Sequence, residues 1–244
     1  MIRITSIALA LAVSGSLMVA GCSRAAEDPA FGAKVRAYLL AHPEVIEEAA
    51  QKLQENKDAQ SAAKAKVALK SDRQSLERDP RDFVANPGGR ITVTEFYDYR
   101  CPHCINAAPK VLAIVKANPD VRFVFKELPI FGATSEHAAR AAIAAKVQGK
   151  DYLEIYRAFM STRGLDDAAV DRVASEHGVD MTKAETGRTR IDADAEVADV
   201  HKLANQLDID GTPTFIIGDT IVPGEDMDAV SAAIAKARSG AKAG

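Results

Sequence analysis

Two cysteines three positions apart, Cys101 and Cys104, are the residues of this chain best suited to covalent chemistry. Upstream, Arg90 to Tyr97 alternates apolar and polar side chains, as a strand does. Downstream, Ala107 to Val115 reads as a helix, so Cys101-Pro102-His103-Cys104 lies where a strand ends and a helix begins. Unpaired N–H groups and the macrodipole at a helix N-terminus favour a thiolate there, and in Cys-x-x-Cys settings the thiol pKa falls to roughly 3.5–7.5. Cys101 is expected to be the exposed nucleophile and Cys104, one turn later, its buried resolving partner. His103 adds a donor or a positive charge to the same turn. A stabilised thiolate makes the corresponding disulfide more oxidising.

Two plainer readings compete. A zinc knuckle needs a second ligand pair, and the only other cysteine is Cys22, so the remaining ligands would have to be distant histidines. A purely structural disulfide across one helical turn closes too short a loop to restrain the unfolded chain much. The strand-turn-helix context favours redox chemistry, and neither a metal site nor a cofactor is assigned.

The elements that position this pair belong to a chain of 244 residues, 47% hydrophobic, long enough for one substantial core plus an accessory segment. A formal net charge of −3 gives no general attraction to nucleic acid, and no nucleic-acid partner is expected. The first residues read as an export signal: Arg3 is the basic start, Ile4 to Ala20 the apolar stretch, and small residues follow. Leu17-Met18-Val19-Ala20-Gly21-Cys22 resembles a bacterial lipobox, which implies a signal peptide over residues 1–21 and lipidation of Cys22, with membrane attachment through the acyl chains. Cleavage after Ala25 or Ala26 is the competing reading.

Residues 22–88 read as a helical arm and linker. Phe31, Val35 and Leu39 recur at helical spacing, Pro43 restarts a helix, and Val45, Ile46, Ala49, Ala50 and Leu53 line one side before the stripe fades between Gln54 and Lys66. Such thin amphipathic helices cannot bury enough area alone. Oligomerisation, packing back onto the main domain, and a flexible tether are the three readings. Asp79-Pro80, Asn86-Pro87 and Gly88-Gly89 mark a turn-rich boundary, which places the catalytic domain at 89–240.

Within that domain Val121–Leu128 forms a second strand, making a parallel strand-helix-strand unit with the first. Helical patterns over 135–148, 152–161, 166–177 and 195–207 fill a helical insertion at about 134–208. Thr212-Pro213-Thr214-Phe215-Ile216-Ile217 then returns as a strand that begins on proline, and a closing helix covers 227–238. His42, His137, His177 and His201 read as solvated helix residues.

The combination of Glu95-Phe96, Cys101-Pro102-His103-Cys104, a helical insertion and Thr212-Pro213-Thr214-Phe215 resembles the DsbA-like branch of the thioredoxin superfamily, from about Arg90 to Arg238. The stretch Val35 to Ile46 resembles the N-terminal segment of ScsC-type proteins, the copper-sensitivity-suppressor relatives. The resemblance implies an α/β thioredoxin fold with a DsbA-like helical insertion, preceded by a helical arm. It implies a cis peptide at Thr212-Pro213, lying against Cys101 and pairing with substrate backbone. It makes Glu95 a buried acid that exchanges a proton with Cys104, and puts Lys126 in the place of that acid's partner; a core ion pair is the plainer role for Lys126.

The activity so implied is thiol-disulfide exchange on client proteins in the periplasm or cell envelope, isomerase or reductase first and dithiol oxidase second, through the Cys101–Cys104 disulfide. The implied partners are a membrane redox protein, ScsB-like or DsbB-like, and further copies of the chain, with a trimer as the expected assembly. A competing class is a copper-binding or copper-protecting protein with the two thiols as soft ligands.

Overall fold

The computed structural model describes residues 29–242. Chain contacts separate an N-terminal unit ending at Glu55 from a second unit that begins at Asn56. The expected signal segment and Cys22 lie outside the described residues.

The N-terminal unit holds α1 (Pro29–Ala41) and the start of α2 (Glu44–Ser71). Pro29 and Pro43 stand where each helix begins, where their missing N–H is no loss. The apolar side chains Phe31, Val35, Tyr38, Leu40, Ile46 and Leu53 are all exposed. Among the described residues, the apolar positions expected to form a stripe are helical and largely exposed.

The second unit is built on a five-stranded sheet of β1 (Phe83–Ala85), β2 (Ile91–Tyr97), β3 (Val121–Glu127), β4 (Thr214–Ile217) and β5 (Thr220–Pro223), in the order β1-β3-β2-β4-β5. Strands β2 and β3 are parallel, as a crossover through α4 (Pro102–Ala117) requires. The other pairs are antiparallel. The insertion comprises α5 (Ala133–Val147), α6 (Tyr152–Ser161), α7 (Asp167–Glu176), α8 (Met181–Ala184) and α9 (Gly187–Gln206). α10 (Met227–Lys242) closes the chain.

Side chains alternate across a strand, and both sheet faces are covered. Val93 and Tyr97 of β2, with Phe123 and Phe125 of β3, pack against α4, α5, α6, α7 and α10. Phe96 packs on the other face, with Leu69 of α2, Leu76, and Val200 and Leu203 of α9. Several of the insertion's helices start on a side-chain cap: Asp151, Asp166 and Asp180 each accept from the backbone N–H three residues on.

Three elements were not legible in the sequence: β1, α8, and a short helix α3 (Arg73–Glu77) before β1. α9 also begins at Gly187, eight residues before the expected start, because its first two turns carry Arg188, Arg190 and Asp192 and no clear apolar stripe. Residues 73–85, expected to be linker, are part of the second unit. Leu76 is fully buried, its carbonyl accepts from the Thr94 hydroxyl at 3.2 Å, and β1 pairs with β3. His137 also departs from expectation: rather than being solvated, its ring nitrogens lie 3.1 Å from Glu185 and 2.8 Å from Asp171, linking α5 to the helices beside it.

Candidate active site

Cys101 is the N-cap of α4, with extended backbone (φ −72°, ψ 120°), and Pro102 takes the first helical position. Because proline has no N–H, the donors reaching the sulfur are the backbone N–H groups of His103 and Cys104. The Cys104 thiol is the largest influence favouring the Cys101 thiolate; burial opposes it, and the Thr212 hydroxyl and those two N–H groups add to it, bringing the pKa down to about 5. When protonated, Cys101 Sγ donates to the Thr212 carbonyl oxygen at 3.1 Å. The Thr212-Pro213 peptide is cis. The two cysteines are unbonded thiols in this structure.

Two details differ from the sequence-based picture. Cys101 is not exposed: it retains 2% of its accessible surface, because its sulfur lies against Thr212. His103 acts through its backbone, while its exposed ring points to Glu225, with Nδ1 3.5 Å from Oε1.

Cys104 is fully buried, and burial, the hydrogen bond to Cys101 and the charge of Glu95 all hold it as a thiol. Glu95 is also fully buried, on the face of β2 that carries Val93 and Tyr97. Burial pushes its carboxyl up to about 8, opposed by a hydrogen bond from the Tyr156 hydroxyl at 3.3 Å and reinforced by Glu127. A low thiol at the helix cap, a high thiol behind it and a buried acid acting on the latter are groups of the kind that thiol-disulfide exchange requires.

Lys126 is not part of this cluster. The β2–β3 register sets Glu95 opposite Phe125 and Phe96 opposite Lys126, so Lys126 belongs to the alternate face from Glu95. Its Nζ pairs with Asp82 Oδ2 at 2.7 Å and donates to the Ser75 carbonyl at 2.6 Å. The expectation that it partners Glu95 is therefore corrected: Lys126 is the lysine of a buried ion pair, which holds the segment before β1 onto the sheet.

One residue the sequence reading passed over organises the turn itself. The buried carboxylate of Asp98 accepts from the Ile130 and Phe131 N–H groups at 2.7 and 2.9 Å, from the Ser135 hydroxyl at 2.8 Å and from the Arg100 N–H at 2.7 Å. Its own carbonyl accepts from the Cys101 N–H at 3.2 Å. An aspartate three residues before a Cys-x-x-Cys is a weak signal by itself, since Ile130, Phe131 and Ser135 lie more than thirty residues away.

A thioredoxin-type sheet with a helical insertion, a cysteine at the cap of α4 and a proline loop against it define the class of thiol-disulfide exchange folds. The chain belongs to the family of DSBA-like thioredoxin domains, matched over residues 92–235, and residues 29–60 match the copper resistance protein ScsC N-terminal domain. A structure of ScsC from Proteus mirabilis with a linker deletion superposes with a TM-score of 0.67 at 27% identity, covering 89% of this chain and 99% of that one. A thioredoxin-like oxidoreductase from Silicibacter pomeroyi gives 0.63 at 38% identity, covering 68% and 98%.

Among curated relatives, the thiol:disulfide interchange protein DsbA of Bordetella pertussis is 32% identical over 142 residues, 53% of this chain and 64% of the relative. The Na(+)/H(+) antiporter NhaA 3 of Salinispora tropica is 30% identical over 176 residues, 67% of this chain and 26% of the antiporter. The chain thus spans about a quarter of the antiporter's length and just under two thirds of DsbA's.

Proposed function

We propose that this protein is a thiol-disulfide oxidoreductase acting on client proteins, with Cys101 as nucleophile, Cys104 as resolving thiol and Glu95 as the acid that exchanges a proton with Cys104. The observation that carries this reading is the pair of opposed thiols, Cys101 held near 5 and Cys104 held high. At neutral pH Cys101 is a thiolate without a separate base, so it attacks a client disulfide directly and expels one client sulfur as thiolate. Cys104 then passes its proton to Glu95 and attacks Cys101 Sγ. The mixed disulfide breaks, the client leaves with the electron pair, and a Cys101–Cys104 disulfide remains. In the reverse sense the disulfide passes to a client dithiol.

Thr212 and Pro213 are assigned to substrate binding. Their backbone lies against Cys101, where an extended client segment pairs as an added strand. Isomerase or reductase activity is the first reading of direction. It is supported by the match of residues 29–60 to the ScsC N-terminal domain and by the exposed apolar stripe of α1 and α2, which further copies of the chain, as a trimer, would cover. Dithiol oxidation is the second, favoured by the stabilised Cys101 thiolate, which makes the disulfide a stronger oxidant.

We place the protein in the periplasm or cell envelope, held on a membrane by lipid on Cys22 and recycled by a membrane redox partner; residues 1–21 are its signal peptide, 22–88 its arm and linker and 89–240 its catalytic domain. No helix among the described residues is long and apolar enough to cross a membrane. The test compares refolding of a scrambled disulfide substrate with oxidation of a reduced one, using the full chain and a Cys101→Ser variant. Loss of both activities in the variant supports the assignment; full activity without Cys101 overturns it.

A further inference from the structure

Behind the redox pair lies a second buried carboxyl that the exchange reaction does not explain. In the β2–β3 register Glu127 stands opposite Tyr97, two positions beyond the Glu95–Phe125 pair and on the same face as Glu95. Three phenol hydroxyls converge on its Oε1: Tyr97 at 2.7 Å, Tyr99 at 3.0 Å and Tyr152 at 2.6 Å. All four residues are buried. By contrast, Glu95 receives only the longer Tyr156 bond. Neither carboxyl pairs with a lysine or arginine among the described residues.

Three donors on one oxygen suit a carboxylate, and hydrogen bonds to a charged acceptor are about twice as strong as neutral ones. The hydroxyls also touch one another, Tyr97 lying 3.1 Å from Tyr99 and 2.5 Å from Tyr152, so the three phenols and Glu127 form one network. Of the two acids, Glu127 has the donors for the pair's first charge, and Glu95 then takes up or releases its proton in the field of that charge. We propose that Glu127, with Tyr97, Tyr99 and Tyr152, is a positioning residue for the redox reaction: its charge sets the pH at which Glu95 takes up or releases the proton exchanged with Cys104. This rests on the reading of Glu95 as the proton partner of Cys104.

The groups facing this pair are few. Cys104 comes from α4, Tyr152 and Tyr156 from α6, Tyr97 from β2, and Tyr99 from the turn after it. From α9, Glu196 adds negative potential at Glu127 and is itself paired with Lys146 at 2.9 Å. Burial pushes both Glu95 and Glu127 up to about 8, so they titrate as a coupled pair in two steps. One strand across and two residues along is a diagonal of roughly 8 Å. At that separation and an effective dielectric near 20, one charge moves the other group by about one pH unit or more.

The experiment uses the full chain carrying a Cys101–glutathione mixed disulfide. Cys104 gives its proton to Glu95 and attacks Cys101 Sγ, glutathione leaves as a thiolate, and the Cys101–Cys104 disulfide forms. The release rate is followed against pH, and the Glu95 carboxyl is titrated independently by NMR of ¹³C-labelled glutamate. Glu127→Gln is expected to shift both inflections to lower pH by about one unit. Tyr152→Phe, which removes one donor and so favours neutral Glu127, shifts them in the same direction by less. Inflections unmoved within about 0.2 unit in both variants, beside an inflection in release that Glu95→Gln abolishes, overturn the role of Glu127 alone. Retention of that inflection in Glu95→Gln overturns the role of Glu95, and the inference with it. If Glu127→Gln does not fold, Tyr152→Phe carries the test.

Discussion

Glu95 and Lys126 lie on neighbouring parallel strands, yet on opposite faces of the sheet. Glu95 belongs to the face packed against α4 and α6, while Lys126 lies 2.7 Å from Asp82 in a buried ion pair on the other. Their register, one residue out of phase, separates the chemistry at Cys104 from the anchoring of the segment before β1.

This separation is testable through Lys126→Met. Removing one partner of a buried pair leaves the other uncompensated, so stability at neutral pH should fall by about 3–5 kcal/mol. The Cys101 ionisation should stay where it is. Urea unfolding of the variant, together with thiolate absorbance at 240 nm, checks both halves. A shifted Cys101 midpoint would return Lys126 to the redox cluster.

The Cys101 thiolate sets a pH profile. Its folded pKa of about 5 is depressed below the ordinary thiol value of 9.0. The reduced fold therefore gains stability from this group above the unfolded value and loses it as pH falls through the folded one. Alkylation of Cys101 is expected to be half-maximal near pH 5, with reduced-state stability declining as pH falls from about 9.0 to about 5. A midpoint above pH 8 would rule out the helix-cap geometry as the source of activation.

Thr212 favours that ionisation through its hydroxyl, while its carbonyl, which accepts from the protonated thiol, opposes it. Thr212→Val keeps the shape and the carbonyl but removes the hydroxyl. The Cys101 midpoint should rise by about half a unit to one unit, in line with loss of one modest hydrogen bond, as read by the same absorbance titration. No rise would assign the low value entirely to Cys104 and the helix N–H groups.

Asp98→Ala should loosen the loop beside the redox turn. It strands the Ile130 and Phe131 N–H groups and the Ser135 hydroxyl, at a cost of about 2–4 kcal/mol by the usual penalty for hydrogen bonds to a charged group. Hydrogen exchange should quicken at Ile130 and Phe131 before it does in β2. Protection unchanged at those two amides would show that another group holds the loop.

Much of this protein could be read in order along the chain. The cysteine spacing, the strand before it and the helix after it are local patterns. Together they were enough to place Cys101 and Cys104 at a strand-to-helix turn, while the buried Glu95 and the cis Thr212-Pro213 beside Cys101 were implied by the family resemblance. The helices of the insertion were legible wherever an apolar stripe or a capping aspartate marked them. β1 and α3 were not, because Phe83-Val84-Ala85 is too short to show alternation and Arg73–Glu77 holds one buried apolar side chain, Leu76.

What the linear order determined was which groups exist and which local element each occupies, since helix caps, strand alternation and turn prolines act over a few residues. Only the tertiary structure decided which groups meet. It covered Cys101 with Thr212 from more than a hundred residues away, turned Lys126 from Glu95 to Asp82, and gathered Tyr97, Tyr99 and Tyr152 on Glu127. Register and burial are properties of packed elements. They depend on which strands pair and what covers them, and no local spacing encodes that.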